Sequence, residues 1–462
     1  VTDVTLKAEQ DAKFIKMTTE PVHKLIVELA IPTILSMMVT SFYNTVDTFF
    51  VSQLGTSASA AVGVNFAFMS IIQACGFFFG HGSGNYISRK LGSKERAQAD
   101  TMASTGYFYA FLTGLILIAI CYPNAGRLAV ALGSTPTILP YARTFLQIII
   151  IGSPFMMSSL VLNNQLRFQG SAMYGMIGII SGAILNIFLE PLLIFYFEMG
   201  IAGAATATVI SQFIGMCVLL VMTTKGGNLT IHWRKAKFSL MLFKEIIMGG
   251  SPSLFRQGLE SVGTIVLNVA AGVYGDAAIA AMSIVNRLSF LAAAAMIGFG
   301  QGYQPVCGFN YGARIFKRVR ESFSFCLKSM TGVSLVLSIL GFIFAPSIIS
   351  IFRDDPEVIY IGVLALRAQA ITFSLQSLVV LSNMTLQTVR KTGGAILLAM
   401  ARRGLFLIPF LFIFPKIWGI NGLILCQPMA DIAAVLLSFL VIRMFFKHLP
   451  KENGVAETTN KT

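Results

Sequence analysis

The chain has 462 residues, of which 55% are hydrophobic and only 12% charged, and its mean hydropathy is +0.75. Soluble proteins carry about 25% charged residues, so this composition excludes a soluble fold and indicates a polytopic membrane protein. The formal net charge of +14 does not point to nucleic acid. The basic residues sit in short gaps between apolar runs, with no basic arm and no aromatic–basic interleaving.

The first segment, residues 1–23, is polar and contains no apolar signal core, so no cleavable signal is expected and the first span directs insertion. Apolar runs of membrane-crossing length then recur at 24–51, 60–87, 101–122, 138–166, 172–197, 201–223, 246–273, 277–307, 323–346, 358–387, 393–415 and 418–443. The expected fold class is all-α and polytopic, with twelve transmembrane helices in two six-helix lobes. The expected divisions are an N-terminal segment 1–23, an N-lobe 24–222, a basic linker 223–245, a C-lobe 246–443 and a tail 444–462. Most Lys and Arg fall in the N-terminal segment, in alternate gaps (89–96, Arg167, 225–244, 314–320, 390–391) and in the tail with Arg443, Lys447, Lys451 and Lys461. The other gaps hold only Arg127, Arg143, Arg353 and Lys416. The positive-inside rule then places both termini in the cytoplasm, which requires an even number of spans.

Shifted by 220 residues, the sequence matches itself. "AIPTIL" meets "GSPSLF", pairing Pro32 with Pro252. Gly80, Gly82 and Gly92 meet Gly300, Gly302 and Gly312, and Asn163 meets Asn383. One residue is then lost, and "GIAGA" at 200 meets "GINGL" at 419. Six spans separate the copies, so both have the same orientation. Secondary transporters built from such parallel repeats bind substrate between their halves and rock them.

Charged residues inside spans are costly and mark function by default. The acids are Asp47, Glu190, Glu260 and Asp431; the bases are Arg256, Arg287, Lys328, Arg367, Arg402 and Arg403. Asn186 lies four residues before Glu190, on the same helix face. Asp47 stands about eight residues before the turn at Gly55, Glu190 about ten before Gly200 and Thr208 about eight after it, which at about 1.5 Å per residue puts all three near one depth. Two carboxylates, an amide and a hydroxyl at one level suit a proton or cation, and facing carboxyls titrate as a pair.

Pro32 followed fifteen residues on by Asp47, the Asn-x-x-x-acid-Pro run Asn186–Glu190–Pro191, "YISRKLG" after the second span and the six-plus-six repeat together resemble the multidrug and toxic compound extrusion (MATE) family, in its prokaryotic DinF/MepA-like branch. The resemblance runs from about Lys24 to Arg443. It implies that Asp47 and Glu190 form an N-lobe cation site joined by Asn186 and Thr208, and that the helix holding Pro32 bends. Relatives usually have aspartate where Glu190 stands, which leaves H+ and Na+ both open as the coupling ion.

In the second half Glu260, eight residues after Pro252, resembles a C-lobe cation-site glutamate of other branches, while Arg256 one turn earlier offers it a local pair. Asp431 has Arg402 or Arg403 as candidate partners, with a structural pair favoured. Arg287 and Arg367 either line a cavity and attract an anionic group or reach an interface. Asn163, Gln147, Met156, Met157, Met173 and Met176 are candidates for a substrate-cavity wall, methionine being adaptable.

Other signals lead elsewhere. "GHGSG" at 80–84 lacks the Gly-Lys-Ser/Thr of a phosphate loop and reads as close helix packing. The sequon at Asn228 falls on the cytoplasmic side. Six cysteines without a C-x-x-C read as reduced thiols, and the four histidines have no metal spacing. No nucleophile–base set suggests an enzyme. The expectation is a cation-coupled antiporter that exports small amphipathic, often cationic compounds by alternating access. It sits as a monomer in the bacterial inner membrane and needs no cofactor, no metal and no nucleic-acid partner. The alternatives are a flippase for a lipid-linked precursor and, more remotely, a membrane-embedded enzyme or receptor.

Overall fold

The computed structural model describes residues 2–353 and 355–450, with side chains described from Lys7 onward; Lys451 and Lys461 lie outside the described residues. The described chain is helical nearly throughout, as hydrocarbon demands of any backbone that cannot reach water. The N-terminal segment forms an unforeseen helix, α1 (Thr2–Thr19). The first half continues with α2 (Val22–Ser52), α3 (Thr56–Gly92), α4 (Arg96–Cys121), α5 (Ala125–Ala131), α6 (Leu139–Phe168), α7 (Ala172–Pro191) and α8 (Gly200–Thr223). The second half comprises α9 (Leu240–Gly272), α10 (Asp276–Gly312), α11 (Phe316–Ile343), α12 (Ala345–Phe352), α13 (Pro356–Phe373), α14 (Gln376–Thr388), α15 (Thr392–Met400) and α16 (Ile408–His448). Each half also holds one π-helical segment, Leu192–Tyr196 after α7 and Ala401–Leu407 between α15 and α16. Helix α9 begins at Leu240, so the linker before it is shorter than the sequence suggests.

Ten helices among the described residues are long and apolar enough to cross a membrane. The last, Thr392–His448, has 57 residues, far more than the roughly 20 that one crossing needs. It turns at Gly419, whose φ of 59° and ψ of −138° leave the helical region. It is therefore two passes. Helix α9 falls outside the ten because Arg256, Gln257 and Glu260 hold its hydropathy down, and with it the passes number twelve. Phe42, Phe188, Val269 and Leu436 are exposed, an apolar exterior that suits lipid.

The duplication is written in the backbone. Helices α3 and α10 start and end at equivalent positions 220 apart, and the short helices α5 and α12 start at such positions too. Positive φ recurs at the same offset: 107° at Gly55 and 96° at Gly275, 61° at Lys94 and 58° at Arg314, 79° at Gly170 and 65° at Arg390. After the lost residue, Gly200 (54°) meets Gly419 (59°). Lys94, Arg314 and Arg390 pay the cost of a conformation that glycine adopts freely, so the matched turns reflect common descent of the two halves.

The chain forms two compact units, one of residues 1–20 and 31–254, the other of 21–30 and 255–462. Helices α2 and α9 are each divided between units, and both divisions fall beside equivalent prolines, Pro32 and Pro252. The first unit's core gathers Phe68, Ile72, Phe145, Ile149 and Met157; the second's gathers Val285, Ile361, Leu366 and Leu423. The "GHGSG" glycines do permit close packing. A Cβ on Gly80 would stand 2.9 Å from Asn164 Nδ2, and one on Gly84 would enter the Phe168 ring. All six cysteines are free, with Cys75, Cys121 and Cys217 half-buried.

Candidate functional site

In α7, Gly178, Gly182, Asn186 and Glu190 recur at every fourth position and so form one stripe. The facing stripe of α8 carries Thr208, Ser211, Gly215 and Leu219. Small residues let the two backbones close up. A Cβ on Gly182 would lie 3.2 Å from the Ser211 carbonyl oxygen, and one on Gly215 would lie 3.3 Å from that of Gly178. That approach brings Asn186 to Thr208, with Nδ2 3.4 Å from the hydroxyl. With the amide turned to satisfy both its ends, Asn186 Nδ2 donates to Glu190 Oε2 at 3.1 Å and Oδ1 accepts from the Thr208 N–H at 3.2 Å. The stripe ends at Pro191, which has no N–H to give. The π segment Leu192–Tyr196 follows, and Gly203 of α8 packs so closely on it that a Cβ would lie 2.7 Å from Leu193 C.

Helix α2 completes the site. The Asp47 carboxyl lies within hydrogen-bond reach of Glu190. Glu190 is fully buried, and its Oε1 has no donor partner among the described residues. Two carboxylate oxygens cannot bond unless one carries a proton, so the contact is a place for a shared proton. No Lys or Arg among the described residues pairs with either acid. Tyr43, one turn before Asp47, stands in the wall of the same cleft as Asn186. Sequence reasoning missed Tyr43, although its i−4 relation to Asp47 puts it on the same helix face. Next to the site a cleft of about 100 Å³ runs between α2, α3, α6, α7 and α8, with Tyr43, Gln73, Met156, Asn186 and Ser211 in its wall. That volume holds several waters, each needing about 10–15 Å³ by this measure.

Of the cavity candidates, only Met156 lines this cleft. Met157, one residue on and so about 100° round the helix from Met156, is fully buried in the core. Met173 is exposed. Gln147, Asn163 and Met176 are half-buried elsewhere in the unit, and Asn163 packs on Gly175.

The acids of the second unit are held differently. Asp431, fully buried, accepts from Gln369 Nε2 at 2.6 Å, Thr372 Oγ1 at 3.0 Å, Gln376 Nε2 at 2.8 Å and Arg402 Nε at 2.5 Å. Glu260 pairs with Arg403 at 2.6 Å, not with Arg256 as the local spacing suggests. Arg256 instead points at Asn383, with Nη1 3.4 Å from Oδ1. Both arginines stand in the π segment Ala401–Leu407; as neighbours in sequence they leave the helix in different directions and serve two different acids. Arg367 is tied to Phe342, donating from Nε to the carbonyl at 3.2 Å and lying 5.3 Å from the ring centroid. Arg287 is exposed. No group of three or more His, Cys, Asp or Glu that could hold a metal ion occurs among the described residues.

The MatE family model matches the chain twice, over residues 32–192 and 252–413, each match opening on one of the paired prolines. The chain belongs to the MatE family. Among curated relatives of this MatE chain are proteins called multidrug export protein MepA. The one from Staphylococcus haemolyticus is 25% identical over 94% of this chain and 96% of that protein. One from Staphylococcus aureus (strain MSSA476) is 25% identical over 94% and 97%. Among solved structures, a MOP superfamily transporter from Pyrococcus furiosus aligns with a TM-score of 0.88 at 24% identity, covering 95% of this chain and 99% of that one. An outward-facing multidrug resistance MATE transporter aligns with 0.89 at 24%, with the same coverage. The family is one of transporters, and this MatE chain is an integral membrane protein.

Proposed function

We propose that this protein is a proton-coupled antiporter that exports small amphipathic compounds, as the names of its MepA relatives suggest. It works as a monomer in the bacterial inner membrane with both termini in the cytoplasm. The observation that carries the reading is the contact of half-buried Asp47 with fully buried Glu190, without a basic partner among the described residues. A fixed cation there would make the pair a brace; without one, the site's charge changes whenever a proton enters or leaves.

The choice of proton over sodium follows from the surroundings. In the orientation that satisfies both ends of its amide, Asn186 presents an N–H to Glu190 and its oxygen accepts from the Thr208 N–H. Sodium requires converging oxygens, whereas a shared proton requires only the two carboxyls and a donor to hold the remaining lone pairs. Tyr43 and Thr208 steady the walls. Protonation removes a buried charge and lets α2 shift about Pro32, which biases the halves toward the other face; release on the inside restores the charge. Each proton entering down about 100 mV supplies roughly 2.3 kcal/mol, enough to sustain about a fiftyfold gradient of a substrate with no net charge.

The test is efflux of a fluorescent amphipathic cation from proteoliposomes, with pH and sodium gradients imposed separately. A pH gradient alone should drive efflux. Transport driven by sodium alone would reject the proton, and transport driven by neither would reject antiport.

A further inference from the structure

The second unit holds more positive charge than its own acids cancel. Around the π segment stand three arginines, Arg256, Arg402 and Arg403, and two acids, Glu260 and Asp431, a surplus of one. Arg402 belongs to Asp431. Arg403 is only 6% exposed, and its Nη2 already donates to Glu260 at 2.6 Å and to Asn286 Oδ1 at 2.9 Å. Its Nε and Nη1 have no acceptor among the described residues. Gly263 makes the room: a Cβ there would stand 3.3 Å from Arg403 Cδ. Arg256, one turn before Glu260 and near enough to feel its charge, makes no ion pair among the described residues and one long hydrogen bond, to Asn383. The cluster is not sealed, since the Glu260 and Arg402 side chains are 31% and 21% exposed.

An uncancelled guanidinium inside a membrane protein is costly, and leaving its N–H groups unpaired adds to that cost. A carboxylate meets both needs, because its two oxygens match the planar guanidinium fork. We propose that Arg403 and Arg256 form a seat for the carboxylate of an amphipathic transported compound, so that this unit accepts zwitterionic and anionic substrates. The proposal rests on the transport reading for the word substrate; the seat itself is a binding site and is tested as one.

Purified protein in neutral detergent is titrated with rhodamine B, which carries a free carboxylate, and with its ethyl ester, which does not, reading fluorescence anisotropy. Rhodamine B should bind more tightly than the ester. Arg256→Gln should weaken rhodamine B about tenfold, the size of a lost charge-assisted hydrogen bond, and leave the ester within about twofold. Glu260→Gln should tighten rhodamine B, because it frees a second guanidinium face. A merely structural Glu260 would predict the reverse, weaker binding of both dyes. Arg403→Gln should behave as Arg256→Gln; if it does not fold, the Arg256 and Glu260 variants decide. Equal affinities for the two dyes, or equal shifts in both, overturn the seat. Because the readout is binding, the result stands whether or not a pH gradient drives efflux, and the two readings fail separately.

Discussion

The first unit brings two acids together and gives them no base among the described residues; the second gives Asp431 and Glu260 an arginine each, with Arg256 left over beside them. Both are built on the same six-pass plan, with turns matched to the residue. Duplication therefore conserved the scaffold and not the charge. The difference follows from where each unit relaxes its helix. In the first, the π segment lies just after Glu190, beyond Pro191, and leaves the Gly178–Glu190 stripe straight against α8. In the second, it lies inside the eleventh pass and contains Arg402 and Arg403 themselves. On the function proposed above, one unit has a charge that protons can switch; the other has a charge held by ion pairs.

The comparison breaks most readily at Arg402. Arg402→Met leaves Asp431 buried among three neutral donors, and loss of one partner of a buried pair costs about 3–5 kcal/mol. Since Arg402 is 21% exposed, we expect the lower end, read as a drop in Tm in detergent with the fold retained. If Tm is unchanged, Asp431 is not held by that pair.

Asp47→Asn should do the opposite: leave Tm nearly unchanged and abolish coupling. The substrate gradient sustained under about 100 mV should fall by about fiftyfold, measured in proteoliposomes. Full concentration by the variant would remove the pair from the mechanism.

The paired glycines sharpen the contrast. Gly203 packs on the backbone of Leu193 and its counterpart Gly422 packs on the Phe414 carbonyl, so an alanine overpacks both, at about 1–3 kcal/mol each. Gly203→Ala should also reduce efflux, because the strained segment lies next to Glu190. Gly422→Ala should lower Tm alone. Similar efflux from the two would show that the site tolerates movement of the π segment.

The smallest effect concerns α1. Lys13 Nζ donates to Ser171 Oγ at 2.8 Å and to Asn228 Oδ1 at 2.6 Å. Burial, and then Arg96 nearby, hold its pKa down to about 7. Released from this site, the lysine titrates near its usual value of about 10.4. Between those values the undocked helix binds more protons, so docking strengthens as pH rises from about 7 toward 10 and is weakest, and flat, below 7. Hydrogen-exchange protection factors of α1 should rise across that window, and Lys13→Met should flatten them.

Asp47, Glu190, Asn186 and Thr208 were legible because a polar residue in an apolar run is conspicuous, and helix periodicity gives it a face and a depth. Tyr43 was not, since an aromatic side chain belongs in an apolar run and nothing flags its hydroxyl. The Glu260–Arg403 pair was not either: its members stand 143 residues apart, and an acceptable partner, Arg256, sat one turn away. Methionine made a poor guide to the cavity because it packs as well in a core as along a cleft.

Sequence by itself determined that the chain crosses a membrane, how often, that it is a duplication, and which few polar groups lie at depth. Those properties are sums over local residues and need only helix geometry. Which partner each charge meets was decided by tertiary structure alone. A helix fixes the face and height of a side chain, but its neighbour across the gap depends on how closely glycines let two backbones approach and on where a π turn shifts the register.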